Sequence, residues 1–147
     1  MGDKDNARRL VKELGIPLLP GYENSKEKDT KLLGEAKKIG FPVLLKASAG
    51  GGGKGMRTVF KEREFLNSLN EVRMEAKNVF GDDRIIIEKY VESGRHIEVQ
   101  ILGDTSGNIF HLFERECTIQ RRYQKIIEET PSKILDDKLR KQMKDIS

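Results

Sequence analysis

The stretch Lys46-Ala-Ser-Ala-Gly-Gly-Gly-Gly-Lys-Gly-Met56 decides how the rest of the chain is read. A short apolar run, Val43 to Lys46, ends in a lysine and passes at once into a glycine-rich loop. Gly50, Gly51, Gly52 and Gly53 are consecutive, and Gly55 follows Lys54. Glycine loses more backbone freedom on ordering than any other residue, so such a run is costly. It is useful where backbone N–H groups must approach a bulky anion with no side chain in the way. The plain alternative is a flexible hairpin tip.

Three phosphate-binding patterns bear on the loop. A P-loop needs Gly-Lys followed by Ser or Thr, and Gly53-Lys54 is followed by Gly55. Gly50, Gly52 and Gly55 match the dinucleotide spacing, but Met56 to Phe60 reads as a strand where that motif needs a helix. A kinase-type loop also joins two strands, yet its valine is missing after Gly55 and its lysine belongs on a later strand. Here Lys46 precedes the loop, where an ammonium would neutralise phosphate charge. Taken alone, Lys46 reads as a solvated strand end.

Upstream, Ala7, Leu10, Val11 and Leu14 share a helical face that Asp3 or Asp5 can cap and that Gly15 and Pro17 close. Ile16 to Pro20 looks extended. Ser25 precedes a second helical stretch carrying Leu32, Leu33, Ala36 and Ile39, ended by Gly40 and Pro42. Downstream, Arg57 to Phe60 is strand-like. Phe65, Leu69, Val72, Ala76 and Val79 mark a long amphipathic helix closed by Gly81. Ile85 to Ile87 open a strand running towards Val91. Ile97, Val99 and Ile101 alternate with His96, Glu98 and Gln100, the pattern of a half-buried strand. Asp104-Thr-Ser-Gly107 is a turn into a returning strand, Asn108 to Glu114. Arg115 to Gln124 reads as a connection, Lys125 to Glu128 as a further strand, and Leu135, Leu139 and Met143 as a helix from about Asp136. The order predicts an α+β fold and disfavours a doubly wound parallel sheet.

Hydrophobic residues make up 36% and charged residues 35% of the 147, which predicts an ordered chain with a modest core. A net charge of +4 suits an anionic ligand, and the interleaved signs argue against nucleic acid. The single cysteine, Cys117, excludes an internal disulfide and a paired-cysteine metal motif, and fits a reducing compartment. With no signal-like or membrane-spanning run, a cytoplasmic protein is expected.

The assembled residues resemble the ATP-grasp family and, within it, the biotin carboxylases. The matching pieces are Met1-Gly-Asp-Lys4, Gly40-Phe-Pro-Val-Leu-Leu-Lys46-Ala-Ser, Gly50 to Arg57, Glu88-Lys-Tyr90, Arg95-His-Ile-Glu-Val-Gln100, Glu114 to Arg122 and Gln124-Lys-Ile-Ile-Glu-Glu129. The resemblance implies roles at these positions. Lys4 and Lys46 would contact ATP phosphates, and Gly50 to Gly53, with Met56 beside them, would cover the nucleotide. Glu88 would accept from the adenine amino group, with backbone around Lys89 and Val91 completing adenine recognition. His96 would reach the ribose, Gln120 would lie near the nucleotide, and Lys125 would be the catalytic residue holding bicarbonate or carboxyphosphate. Ala49, where relatives carry glycine, and Tyr123, where they carry histidine or asparagine, depart from the pattern.

The resemblance also implies a division into a hinge helix (1–17), an ATP-grasp lid (18–90) and the incomplete start of the C-terminal ATP-grasp lobe (91–147). The family's metal-binding glutamates and bicarbonate base would follow Ser147, so the stretch is expected to be an inactive fragment, with no metal ligand of its own. The parent would use MgATP and bicarbonate to carboxylate biotin on a biotin carboxyl carrier protein. It would work as a homodimer with a carboxyltransferase, for example in acetyl-CoA carboxylase and fatty acid biosynthesis. Two alternatives stand beside this: a non-catalytic nucleotide-binding or assembly module, and another ATP-grasp ligase such as a carbamoyl-phosphate synthetase. The Lys46-Ala-Ser and Gln-Arg-Arg-x-Gln-Lys segments argue against the latter.

Overall fold

The computed structural model describes residues 3–23 and 27–147. Met1, Gly2 and Ser25 therefore lie outside the described residues. Contacts divide the chain into two compact units, Met1–Val91 and Glu92–Ser147.

The first unit runs α1 (Lys4–Glu13), β1 (Gly21–Tyr22), α2 (Asp29–Ile39), β2 (Val43–Ala47), β3 (Met56–Val59), a 3₁₀ turn (Glu62–Glu64), α3 (Phe65–Phe80) and β4 (Ile85–Lys89). Its four strands form one antiparallel sheet in the order β1-β4-β2-β3. Alternation along the strands gives the sheet two faces. One carries Val43, Leu45, Ala47, Val59, Ile85 and Ile87, which pack with Leu32 and Ala36 of α2 and with Phe65, Leu69, Val72 and Ala76 of α3. Phe41 adds an edge-to-face contact with Phe65, ring centroids 6.3 Å apart. The other face is the chemical one.

Local signals account for the helix ends. The Asp3 side chain accepts from the N–H groups of Asp5 and Asn6, so of the two candidate caps Asp3 does the capping. Gly81 takes φ +72°, the left-handed position that ends α3. Beyond capping, Asp3 pairs with Arg84, which also holds Asp82, and so ties the start of α1 to the start of β4.

Several expectations are corrected in this unit. The apolar face of α1 is not buried: Leu10 and Leu14 are exposed, and the buried residue of that helix is Arg8. A polar partner network, described below, holds Arg8 there. Val79 is likewise exposed, and Phe80 packs against the core instead. The extended stretch before Gly21 leads into β1, a two-residue strand with no sequence period of its own.

The second unit comprises β5 (Ile97–Gly103), β6 (Ile109–Glu116), β7 (Gln120–Arg121), β8 (Gln124–Lys125) and α4 (Asp137–Ile146). β5 and β6 form the expected antiparallel hairpin around the Asp104 turn. Its register shifts between Val99 and Ile101, and beyond the shift Ile101 and Leu102 are exposed, as are Ile109, Phe110, Leu112 and Phe113 on β6. The half-buried reading therefore holds for Ile97 and Val99 and fails at Ile101. The supposed connection Arg115 to Gln124 contains the end of β6, all of β7 and the start of β8.

Two buried carboxylates organise this unit. Glu114 accepts from Arg140 of α4 at 2.8 Å, and Glu116 accepts from Ser132 at 2.8 Å and Arg95 at 2.6 Å. Asp136 caps α4 through the Leu139 N–H. Among the described residues, no helix is long and apolar enough to cross a membrane.

Packing sets the stability expectations for the first unit. Phe65→Ala, at a wholly buried position, should lower unfolding stability by about 3–5 kcal/mol. Gly34→Ala, in the interior of α2 with nothing within 4 Å of the added methyl, should raise it by about 0.5–1 kcal/mol. Urea unfolding followed by circular dichroism measures both.

Candidate functional site

On the chemical face of the first unit's sheet, strand register sets the arrangement. Lys46 stands opposite Met56 on β3 and Ile86 on β4, and Glu88 opposite Leu44 on β2 and Gly21 on β1. Lys46 and Glu88 are thus diagonal neighbours. The Glu88 side chain is 11% exposed, and both its oxygens are engaged. Oε1 accepts from Arg8 Nη1 at 2.5 Å, and Oε2 pairs with Lys46 Nζ. A carboxylate this far from water needs such partners.

The glycine loop lies beside Lys46. A small cavity of about 150 Å³ is lined by Lys4, Lys46, Ala47, the four consecutive glycines, Lys54 and Met56. Lys4 Nζ donates to the carbonyls of Gly50 and Ser48. Burial, reinforced by the charge of Lys46 and opposed by Glu88 and Asp3, holds the Lys4 ammonium below its ordinary pKa. The glycines serve different needs. A methyl at Gly50 or Gly55 would come within 2.9 Å of Ala47 Cβ, whereas Gly51 and Gly52 have open space around them. Gly52, Gly53 and Gly55 adopt positive φ, which side chains resist. The root of the loop is pinned where the Gly55 N–H donates to Glu75 at 3.0 Å.

Of the residues expected around adenine, Glu88 lies on this face. Lys89 sends its ammonium to the carbonyls of Gly40 (2.8 Å) and Phe41 (3.1 Å), and its N–H donates to Pro20. Its side chain thus serves the end of α2. Val91, the last residue of the unit, is exposed.

The second unit gathers His96, Gln120 and Lys125. Lys125 Nζ reaches both oxygens of Glu98, at 2.7 and 2.6 Å, and Arg115 Nε reaches Oε1 at 2.5 Å. Lys125 and then Arg115 hold the Glu98 carboxyl below its ordinary value, and Glu98 in turn raises the Lys125 ammonium. The Gln120 amide nitrogen lies 2.8 Å from His96 Nδ1 and also donates to the Cys117 carbonyl. An amide N–H donates only, so His96 Nδ1 is the acceptor and the ring proton sits on Nε2, 3.7 Å from Glu98.

A ligand atom from each of His96, Glu98 and Cys117 lies within 4.8 Å of the others. Burial and then Glu98 push the Cys117 thiol up, and two cations hold the carboxylate. Sequence reading passed over Glu98, Arg115 and Arg8. Glu98 could have been found from its period-two relation to His96, and Arg8 from its place one helical turn after Lys4.

Comparison with known proteins places this geometry. Residues 3–147 match the family described as carbamoyl-phosphate synthase L chain, ATP binding domain. The chain belongs to that family. It is 47% identical over 145 residues to biotin carboxylase 1 of Bacillus subtilis (strain 168), covering 99% of this chain and 32% of that protein. Its structure matches a biotin carboxylase from Campylobacter jejuni solved as a β,γ-ATP complex, with a TM-score of 0.94 and 42% identity over 99% of this chain and 33% of that one. It also matches the biotin carboxylase domain dimer of Hydrogenobacter thermophilus 2-oxoglutarate carboxylase, solved with MgADP, ADP and bicarbonate, with a TM-score of 0.93, 42% identity, and coverage of 99% and 32%. The fold is that of these ATP-grasp proteins, and the chain spans about a third of their length.

The second unit's carboxylates set an acid limit. Glu98, Glu114 and Glu116 are all held below the ordinary value of 4.5: Glu98 by Lys125, Glu114 by Arg140 and Glu116 by Ser132. The stability they contribute is complete above pH 4.5 and disappears as pH falls through their lowered values. The urea midpoint should therefore drop between pH 5 and pH 3, and Glu116→Gln should flatten that dependence.

Proposed function

We propose that this chain is the ATP-binding portion of a biotin carboxylase-type ligase. The observation that carries the reading is the joint placement of Lys4 and Lys46 at the mouth of the glycine loop, with Glu88 on the same sheet face. The donor set fits a nucleotide. Two ammonium groups offset triphosphate charge, the open glycines let backbone N–H groups approach it, and a carboxylate can accept from the exocyclic amine of adenine. The two solved relatives bind ATP-type or ADP ligands, one of them with magnesium and bicarbonate, which supports the same ligands here.

In this reading, residues 18–90 are the lid, 1–17 its hinge and 91–147 the start of the main ATP-grasp lobe. Lys89 and Val91 offer backbone groups to adenine, and Met56 flanks the nucleotide. His96 and Gln120 serve the ribose side, the Gln120 amide fixing the His96 ring. Lys125 holds bicarbonate while ATP transfers its γ-phosphoryl group to it, leaving ADP and forming carboxyphosphate. That intermediate splits into carbon dioxide and phosphate, and as biotin N1 on a carrier domain bonds the carbon dioxide its N–H proton passes to the departing phosphate. Glu98, by gripping Lys125, keeps its ammonium charged and aimed. The parent is a cytoplasmic homodimer working with a biotin carrier and a carboxyltransferase, as in acetyl-CoA carboxylase.

Magnesium would supply charge neutralisation at the β- and γ-phosphates. Among the described residues the cluster able to hold a metal, His96–Glu98–Cys117, has its carboxylate held by Lys125 and Arg115. We therefore propose nucleotide binding without turnover for this stretch by itself.

Calorimetric titration tests the reading. ATP should bind and GTP more weakly, and Lys46→Ala should lower ATP affinity by about tenfold or more, the weight of one charge-assisted contact. ATP consumption with bicarbonate and free biotin should stay at the level of a Lys46→Ala, Lys125→Ala control. No detectable ATP binding overturns the nucleotide reading, and clear turnover overturns the expected inactivity.

A further inference from the structure

Arg8 is the feature that neither the motif reading nor the proposed site uses. It sits on α1 one turn after Lys4, yet it is buried, with its side chain only 10% exposed. All three guanidinium nitrogens are committed, each to a different segment. Nε donates to Glu23 at 2.9 Å, Nη1 to Glu88 Oε1 at 2.5 Å, and Nη2 to the Leu19 carbonyl at 2.9 Å. The neighbouring strand makes room for it: a methyl at Gly21 would stand 2.5 Å from Arg8 Nη2 and 2.8 Å from the Ile87 carbonyl.

We infer that Arg8 is a positioning residue for nucleotide-base selection, acting through Glu88. The inference rests on the nucleotide reading above. A guanidinium held at three points has a fixed plane, and a carboxylate hydrogen-bonded to it inherits a fixed orientation. Arg8 takes Oε1, which leaves Oε2 as the oxygen available to a ligand. In the present structure Lys46 occupies Oε2. A triphosphate competes with Glu88 for Lys46. When it draws that ammonium away, Arg8 still neutralises the buried carboxylate, and Oε2 is free to accept from an exocyclic amine. Without Arg8, Lys46 is the only cation left on Glu88, and phosphate must strip a buried carboxylate of its last partner, which is unfavourable. Arg8 therefore separates the duties of its neighbours: Lys46 is released to phosphate and Glu88 is kept for the base.

A residue that merely fastens α1 to the sheet would change stability without changing base preference, and this is the basis of the test. ATP and GTP affinities are measured by calorimetry for the 147-residue chain and its variants, with melting temperatures in parallel. Arg8→Met should lower affinity for both nucleotides, which share the cost of drawing Lys46 from Glu88, and should lower ATP by about a further tenfold relative to GTP, because the oxygen that accepts from adenine is no longer held. The ATP-to-GTP ratio should thus fall to that of Glu88→Gln. In a Glu88→Gln background, Arg8→Met should leave the ratio unchanged. Arg8→Lys, which keeps a cation beside Glu88, should restore most of the ratio while melting below the wild type. Should Arg8→Met not fold, Gly21→Ala displaces Nη2 with Glu88 intact and should lower the ratio. An unaltered ratio in Arg8→Met, or in Gly21→Ala where Arg8→Met does not fold, overturns the inference if Glu88→Gln lowers it. If Glu88→Gln itself has no effect, the nucleotide reading beneath falls, and this inference with it.

Discussion

The carboxylate of Glu88 is the point on which the first unit's chemistry depends. It lies at the join of three elements: β4, which carries it, β2, which brings Lys46, and α1, which brings Arg8. A buried negative charge is tolerable only with partners, and this one has two. Its presence explains why the buried residue of α1 is an arginine, why β1 begins with glycine, and why the lysine beside the glycine loop stays on the sheet face. The core beneath is ordinary, with aliphatic strand residues packed on two helices. The far face of the same sheet spends that stability on charge.

A comparable logic runs through the second unit with different groups. Glu98 gathers Lys125 and Arg115, and Glu114 and Glu116 secure α4 and the segment around Ser132. In each case a carboxylate on a strand collects cations or hydroxyls from other segments. The unit has few buried apolar residues, so these polar contacts carry much of its definition.

Much of the fold was legible because its signals are local. Apolar periods marked α2, α3 and β2, and glycines at positive φ ended α3 where expected. The candidate site was legible only in part. Lys46 and the glycine loop adjoin in sequence, so composition revealed them. Arg8 and Glu88 are eighty positions apart, and although Arg8 follows Lys4 by one helical turn, that spacing does not name Glu88 as its partner. The exposed apolar residues of the hairpin show the same limit: alternation says which side chains share a face, and says nothing of what lies against it. β1 escaped notice because two residues carry no period, and its pairing with β4 supplies the reason it exists.

The two roots of the glycine loop, wedged against Ala47, have a mechanical consequence. Gly50 and Gly55 are fixed by close packing, and Gly55 is held again by Glu75, while Gly51 and Gly52 stand in open space. Movement of this loop is thus confined to a short arc between clamped ends. Such an arc can swing by rotating a few glycine dihedrals, without breaking a strand pair or exposing a core residue.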